Sequence, residues 1–137
     1  MEGDHTAERG GLDEAFEEEL QSVCRTVVGD ELRSITYFTK EEVEQAYLRT
    51  DLDQTADLVG FAEFERMGFH AHTAYQDTQL GRYRATIRMF ENGYLVRVLG
   101  EYVGVWVTTD NLSMERFEEL STALKAVIEG HETEARP

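Results

Sequence analysis

Residues 82–109 read RYRATIRMFENGYLVRVLGEYVGVWVTT, and this stretch decides the fold class. Three runs rich in β-branched and aromatic residues are separated by two turn signals. RYRATIRMF is the first strand. Asn92-Gly93 is the dipeptide that two-residue hairpin loops favour, because both positions tolerate positive φ. YLVRVL returns, Gly100-Glu101 turns the chain again, and YVGVWVTT closes a three-stranded antiparallel meander. Two-residue loops at both turns predict a register. Arg88 faces Arg97, Ile87 faces Val98, Phe90 faces Leu95, Val98 faces Val103 and Leu95 faces Trp106.

Side chains alternate across a sheet, so the register sorts them onto two faces. One face takes Tyr83, Ala85, Ile87, Met89, Tyr94, Val96, Val98, Val103, Val105 and Val107. It is almost wholly apolar and is expected to be the main core face. The other takes Arg82, Arg84, Arg88 and Arg97 together with Phe90, Leu95, Tyr102 and Trp106. Phe90, Leu95 and Trp106 are expected to form an exposed apolar corner, which suits a protein contact. Arg88 opposite Arg97 is destabilising unless a counter-charge is present. Glutamates of the same chain or of a twin subunit are the leading candidates for that charge. A small anion, nucleic acid and simple solvent exposure are the alternatives.

Outward from the meander, residues 12–28 carry apolar side chains three and four apart: Leu12, Phe16, Leu20, Val23, Cys24 and Val27. That spacing predicts an amphipathic helix, with Asp13, Glu14, Glu17 and Glu18 near its positive end and Gly29 as its stop. Cys24 lies in the apolar stripe and reads as a buried structural thiol. LRSITYF, residues 32–38, reads as a strand. Thr39-Lys-Glu-Glu has the form of a capping box, which predicts a short helix through Leu48 with Val43, Ala46 and Tyr47 inward. A further helix is expected over residues 54–67. At the other end, Met114, Phe117, Leu120, Leu124, Val127 and Ile128 mark a helix capped by Asp110 or Ser113 and stopped by Gly130. Residues 1–11 and 130–137 read as flexible tails around one domain, 12–129.

The chain has 137 residues, 28 acidic and 13 basic, for a formal charge of -15. Eleven of the basic residues are arginine and two are lysine, Lys40 and Lys125. Such a surface repels nucleic-acid backbones at long range. Carboxylates with arginine as the main cation suit a protein working in molar salt, where the Debye length falls to about 3 Å and self-repulsion is screened. One cysteine excludes an internal disulfide framework. No run approaches the roughly 20 apolar residues of a membrane span, and the N-terminus has no hydrophobic signal segment. A soluble, cytoplasmic protein is the expectation.

Few motifs for chemistry appear. There is no phosphate-binding glycine loop, no dinucleotide fingerprint, no nucleophile elbow and no cysteine pair for zinc. Asp51, Asp53 and Asp57 are spaced like the start of a calcium loop but lack its central glycine and terminal glutamate. They read as solvated turn carboxylates. His70 and His72 are weak metal candidates that need a third ligand from elsewhere. Glu63, Glu65 and Arg66 beside them make the densest polar cluster. No catalytic residue and no cofactor is assigned.

The segments LQSVCRTVVGDELRSITYF, YLRTDLD, ERMGF, IRMFENGYLVRV and GVWVTTDNLSMERFEEL resemble a group of small cytosolic proteins from halophilic archaea. The resemblance covers about Phe16 to Leu124 and implies an archaeal cytosolic setting, with no catalytic residue to carry over. The order of elements is also loosely similar to small regulatory modules of the profilin or roadblock type. The reading is an α+β domain with an antiparallel or mixed sheet and terminal helices packed on it. Its expected role is a non-catalytic interaction or regulatory module, homodimeric through the arginine and aromatic face. The rival is a small-anion sensor or enzyme using Arg84, Arg88 and Arg97.

Overall fold

A computed structural model describes residues 14–53 and 79–135. Helix α1 spans Glu14–Val28, and Gly29 ends it at φ +71°, a left-handed stop. A 3₁₀ turn, Gly29–Glu31, leads into β1, Leu32–Phe38. The remaining strands are β2 (Val43–Leu48), β3 (Thr86–Phe90), β4 (Gly93–Leu99) and β5 (Gly104–Thr109), and helix α2 covers Met114–Ala135. The strands form one antiparallel sheet in the order β2-β1-β5-β4-β3. The α+β expectation, with both terminal helices on the sheet, describes this architecture.

The helix side of the sheet holds the larger core. Ile35 and Tyr37 of β1, Val96 and Val98 of β4, and Val105 and Val107 of β5 are fully buried there. Helix α1 covers them with Phe16, Leu20, Cys24 and Val28, one residue per turn. Helix α2 contributes Phe117, Leu120, Leu124, Val127 and Ile128. Burying each such side chain is worth about 1.5–3 kcal/mol. The aromatic contacts are oriented: Phe16 meets Tyr37 edge-on at 5.4 Å, and Tyr94 meets Phe117 edge-on at 5.2 Å. The Tyr37 hydroxyl reaches back to Glu17 Oε2 at 2.5 Å, so the buried ring keeps its polar end satisfied.

Three local expectations are corrected. Val43–Leu48 is a strand and not a helix. Thr39 Oγ1 does accept the N–H of Glu41 and Glu42, at 3.3 and 3.1 Å, but the turn it closes is that of the β1–β2 hairpin. The β1–β2 register slips between Ile35 and Thr36, leaving Ala46 as an extra residue. Ala46 and Tyr47 then both pack against the helix-side core, and that doublet mimics helical spacing. Second, helix α2 does not stop at Gly130 but runs to Ala135, with Ser113 Oγ accepting the Arg116 N–H at its start. Third, the meander register is displaced. Arg88 pairs with Leu95, Arg97 with Thr86 and Ile87 with Val96. Val98 pairs with Val105 and Leu95 with Thr108. Glu91-Asn92 forms the first two-residue loop, and the second loop has four residues, closed by Gly100 N–H to Val103 O at 2.7 Å. Each displacement is two residues, an even number, so inside the strands every side chain keeps its predicted face.

Two polar clusters fasten the ends of the sheet. Glu132 of α2 is 9% exposed, and its carboxylate accepts the backbone N–H of Glu101, Tyr102 and Val103 at 3.1, 2.7 and 3.0 Å. Lys125 Nζ donates to Leu99 O in the same region. At the opposite end, Arg49 grips Asp110 through Nη1 and Nη2 and Asp51 through Nε and Nη2. Arg33 joins Asp110 at 3.5 Å. This cluster ties the end of β2 to the entry of α2.

Candidate interaction surface

The second face of the sheet is where the sequence places its arginine and aromatic residues. Three rows run across the strands. Ser34, Thr108, Leu95 and Arg88 stand side by side in the first, and Thr36, Trp106, Arg97 and Thr86 in the second. Phe38, Gly104 and Leu99 make the third. A Cβ on Gly104 would collide with the Phe38 ring, so glycine is what lets that ring lie flat over β5. Phe38 also lies 5.3 Å from Trp106, ring to ring.

Most of this face is core. Phe38 and Trp106 are fully buried, Leu95 is 1% exposed and Leu99 2% exposed. Arg97 is only 6% exposed, and its Nη2 donates to Thr86 Oγ1 at 3.3 Å. A guanidinium at that depth belongs to the buried polar network of the sheet, along with the Ser34–Thr108 hydroxyl pair at 2.6 Å. The exposed corner expected from Phe90, Leu95 and Trp106 is therefore reduced to Phe90, which is 51% exposed. Leu95 and Trp106 sit on interior strands, where alternation alone does not tell a buried face from a wet one.

The arginines also separate. Arg84 precedes β3, where strict alternation does not hold. Its Nη2 bonds Glu118 Oε1 at 2.9 Å and Thr122 Oγ1 at 3.4 Å, both on α2, so it lies on the helix side. Tyr83 moves the other way and packs with the Phe38–Trp106 cluster, its hydroxyl bonded to Thr86. Arg82 and Arg88 are exposed at β3 and just before it, and Tyr102 is 58% exposed on the β4–β5 loop. Arg84, Arg88 and Arg97 thus do not converge on one point. A cleft of about 350 Å³ opens beside Phe90, Tyr94, Thr108 and Arg33, where Arg33 already leans on Asp110.

What the sequence did not single out is the strand itself. Among the described strands β3 lies at the edge of the sheet, and four of its five residues are exposed. Ile87 is 39% exposed, Met89 77% and Phe90 51%. Across a shallow cleft from Ile87 lies Met114 of α2, 69% exposed. The opposite edge, β2, is treated differently: all six residues are half-buried. Gln21 Nε2 donates to Ala46 O at 2.6 Å, and Arg25 stacks 5.5 Å from the Tyr47 ring. A bulge also interrupts β2, a common protection for an edge. The signal for β3 was present as Ile87 and Met89 in the apolar pattern. What the pattern lacked was the sheet order that leaves them at the edge, beyond the described helices.

Among the described residues no group of three His, Cys, Asp or Glu could hold a metal. His70, His72, Glu63, Glu65 and Arg66 lie outside the described residues, as does the helix expected over 54–67. Cys24 is fully buried, and burial pushes its thiol up to about 12, which leaves it protonated and unreactive at neutral pH. No described helix is long and apolar enough to cross a membrane.

Comparison with known proteins gives the chain a family. The model for a domain of unknown function, DUF7522, matches residues 18–129, and the chain belongs to that family. No curated protein matches it. Among solved structures it is similar to MglB of Myxococcus xanthus, with a TM-score of 0.55 at 16% identity over 87% of this chain and 93% of that one. An MglB described as having a tetrameric arrangement gives a TM-score of 0.58 at 16% identity, covering 86% and 90%. The gliding protein MglB of Thermus thermophilus gives 0.56 at 14% identity, covering 85% and 93%. At these identities the likeness is one of fold.

Proposed function

We propose that this DUF7522 chain is a non-catalytic interaction module that associates with itself through the outer edge of β3. The observation that carries the reading is the contrast between the two edges of one sheet. β2 is bulged, half-buried and guarded by α1, whereas β3 presents Ile87, Met89 and Phe90 to solvent. An edge strand with exposed apolar side chains is a template for pairing with another chain. Antiparallel pairing of two β3 strands would continue the sheet across a two-fold axis and bring the exposed apolar side chains of both copies together. Arg82, Arg88 and Phe90 flank that junction, and they are the part of the arginine and aromatic surface that stays exposed toward a second copy. The tetrameric arrangement described for one MglB supports assembly as a habit of this fold.

The setting assigned to the module is a concentrated-salt cytosol. Twenty-eight acidic residues against 13 basic ones, with arginine as nearly the only cation, support it. The test is the mass of the chain in molar potassium chloride. Light scattering is expected to give a dimer or a multiple of it for the wild type, and a monomer for Met89→Lys. Met89 is 77% exposed, so the lysine is tolerated by the fold while blunting the edge. A wild type that stays monomeric up to near-millimolar concentration contradicts the reading.

A further inference from the structure

The chain has two asparagines, Asn92 and Asn111, and only Asn92 is followed by glycine. We infer that Asn92-Gly93 is a self-modification site, where the Asn92 side-chain amide converts without an enzyme to aspartate and isoaspartate. The inference goes beyond the edge reading and does not depend on it.

The turn is arranged for the reaction. Glu91-Asn92 is the two-residue loop between β3 and β4, and Asn92 is exposed. No described residue hydrogen-bonds its side-chain amide, which is free to turn onto the next backbone nitrogen. Gly93 has no side chain to screen that nitrogen. Asn111 differs on each count. It is followed by Leu112, which packs against the core, and its own backbone N–H is tied to Glu31 Oε1 at 3.0 Å. Clefts of about 350 and 280 Å³ border the β3–β4 turn, and Asn92 and Gly93 line both, so water has room beside the bond. The closing pair of a two-residue hairpin, here Phe90 and Gly93, is hydrogen-bonded. That pairing engages the Gly93 amide while the hairpin is closed. Among the described strands β3 pairs with β4 alone, so opening of this end is a local event that frees the nitrogen.

The chemistry needs water and nothing else. The Gly93 nitrogen gives up its proton and attacks Asn92 Cγ. The new C–N bond closes a five-membered imide, and the side-chain nitrogen leaves as ammonia with the proton. Water then opens the ring. Attack at Cγ restores the main chain and gives aspartate. Attack at the main-chain carbonyl carbon leaves Gly93 joined through Cγ, which is isoaspartate. No atom is oxidised or reduced.

The two products act differently. Aspartate adds a charge beside Glu91, in a cleft that Asp110 also lines. Isoaspartate adds one atom to the main chain of a loop whose two-residue length sets the β3–β4 register. The β4 side has no slack to absorb it, because Gly93 is pressed so closely on β5 that a Cβ there would collide with Thr109 O. The strand displaced is therefore β3.

The experiment is incubation of the folded full chain in molar potassium chloride at mildly alkaline pH, followed by peptide mass spectrometry over time. The peptide bearing Asn92 should gain the mass of an amide-to-acid exchange more than an order of magnitude faster than the peptide bearing Asn111. Electron-transfer fragmentation should find isoaspartate in it. Asn92→Ser removes the amide and should abolish the gain. Asn92→Asp suits the same turn and should match fresh wild type in hydrogen exchange of the Thr86–Phe90 amides. The purified isoaspartate fraction should exchange those amides faster. Equal rates at Asn92 and Asn111 in the folded chain overturn the inference, as does conversion at Asn92 that occurs only in urea. An isoaspartate fraction with the β3 protection of the fresh chain overturns the assignment of its effect to β3.

Discussion

Replacing Glu132 by alanine should destabilise the fold by about 3 kcal/mol, far more than a typical glutamate on an acidic surface. The carboxylate accepts three successive backbone N–H groups, from Glu101, Tyr102 and Val103, at 3.1, 2.7 and 3.0 Å. A hydrogen bond to a charged acceptor is worth about 1.5–3 kcal/mol, and the three are not additive. Glu101 and Tyr102 are exposed residues, so water can replace the lost acceptor at their N–H groups. Val103 is 3% exposed, and its N–H would be left without a partner. One bond lost outright and two partly replaced come to about 3 kcal/mol. Glu132→Gln keeps one acceptor oxygen but turns an amide N–H₂ toward the donors, and should cost about 2 kcal/mol. The assay is urea unfolding followed by circular dichroism. With a slope near 1.5 kcal/mol/M for a chain of this size, the alanine midpoint should fall by about 2 M with the slope unchanged. Hydrogen exchange at Tyr102 and Val103 should accelerate in both variants. An alanine midpoint within about 0.3 M of wild type would refute the argument that this carboxylate holds the β4–β5 loop.

Three further outcomes follow from the same physics. Arg49→Met removes the guanidinium shared by Asp110 and Asp51, and loss of the part-buried Asp110 pair should lower stability by about 1 kcal/mol at neutral pH. Arg49 holds the Asp51 carboxyl below its usual range, chiefly by hydrogen bonding, so the favourable Asp51 pairing is present at neutral pH and lost in acid as pH falls through the lowered value; acid titration of the variant should lack that step. Cys24 should resist a thiol-specific disulfide reagent at pH 8 in the native chain and react fully in urea, and rapid native labelling would contradict its burial. The urea midpoint should rise from low to molar potassium chloride as repulsion among the excess carboxylates is screened, and a flat or falling midpoint would remove the assignment to concentrated salt.

The meander and both terminal helices were legible because each carries a periodic apolar signal longer than its turns. Even a misplaced register did little harm, since a slip of two keeps Val96, Val98, Val105 and Val107 on one face. The β2 strand was not legible. Its bulge doublet at Ala46 and Tyr47 spaces apolar residues like a helix, and Thr39 supports a helix cap or a hairpin turn with the same hydroxyl. The second sheet face was misjudged for a related reason. Arg97 reads as part of a surface cluster, but it stands on a central strand and is buried, with Ser34, Thr36 and Thr108 buried on the same face. Burial of a polar residue is a property of sheet order and of what packs on the face, neither of which local pattern contains. The same lack of sheet order hid the role of β3. Ile87 and Met89 read as core from alternation alone, yet both are exposed on β3.

The most direct test of the account is hydrogen–deuterium exchange of the intact chain in molar potassium chloride, followed as a function of protein concentration. Protection of the Thr86–Phe90 amides should rise with concentration, in step with the mass from sedimentation, while the Val43–Leu48 amides of the other edge stay unchanged. Association without any change in β3 protection would contradict the claim that this edge joins the copies.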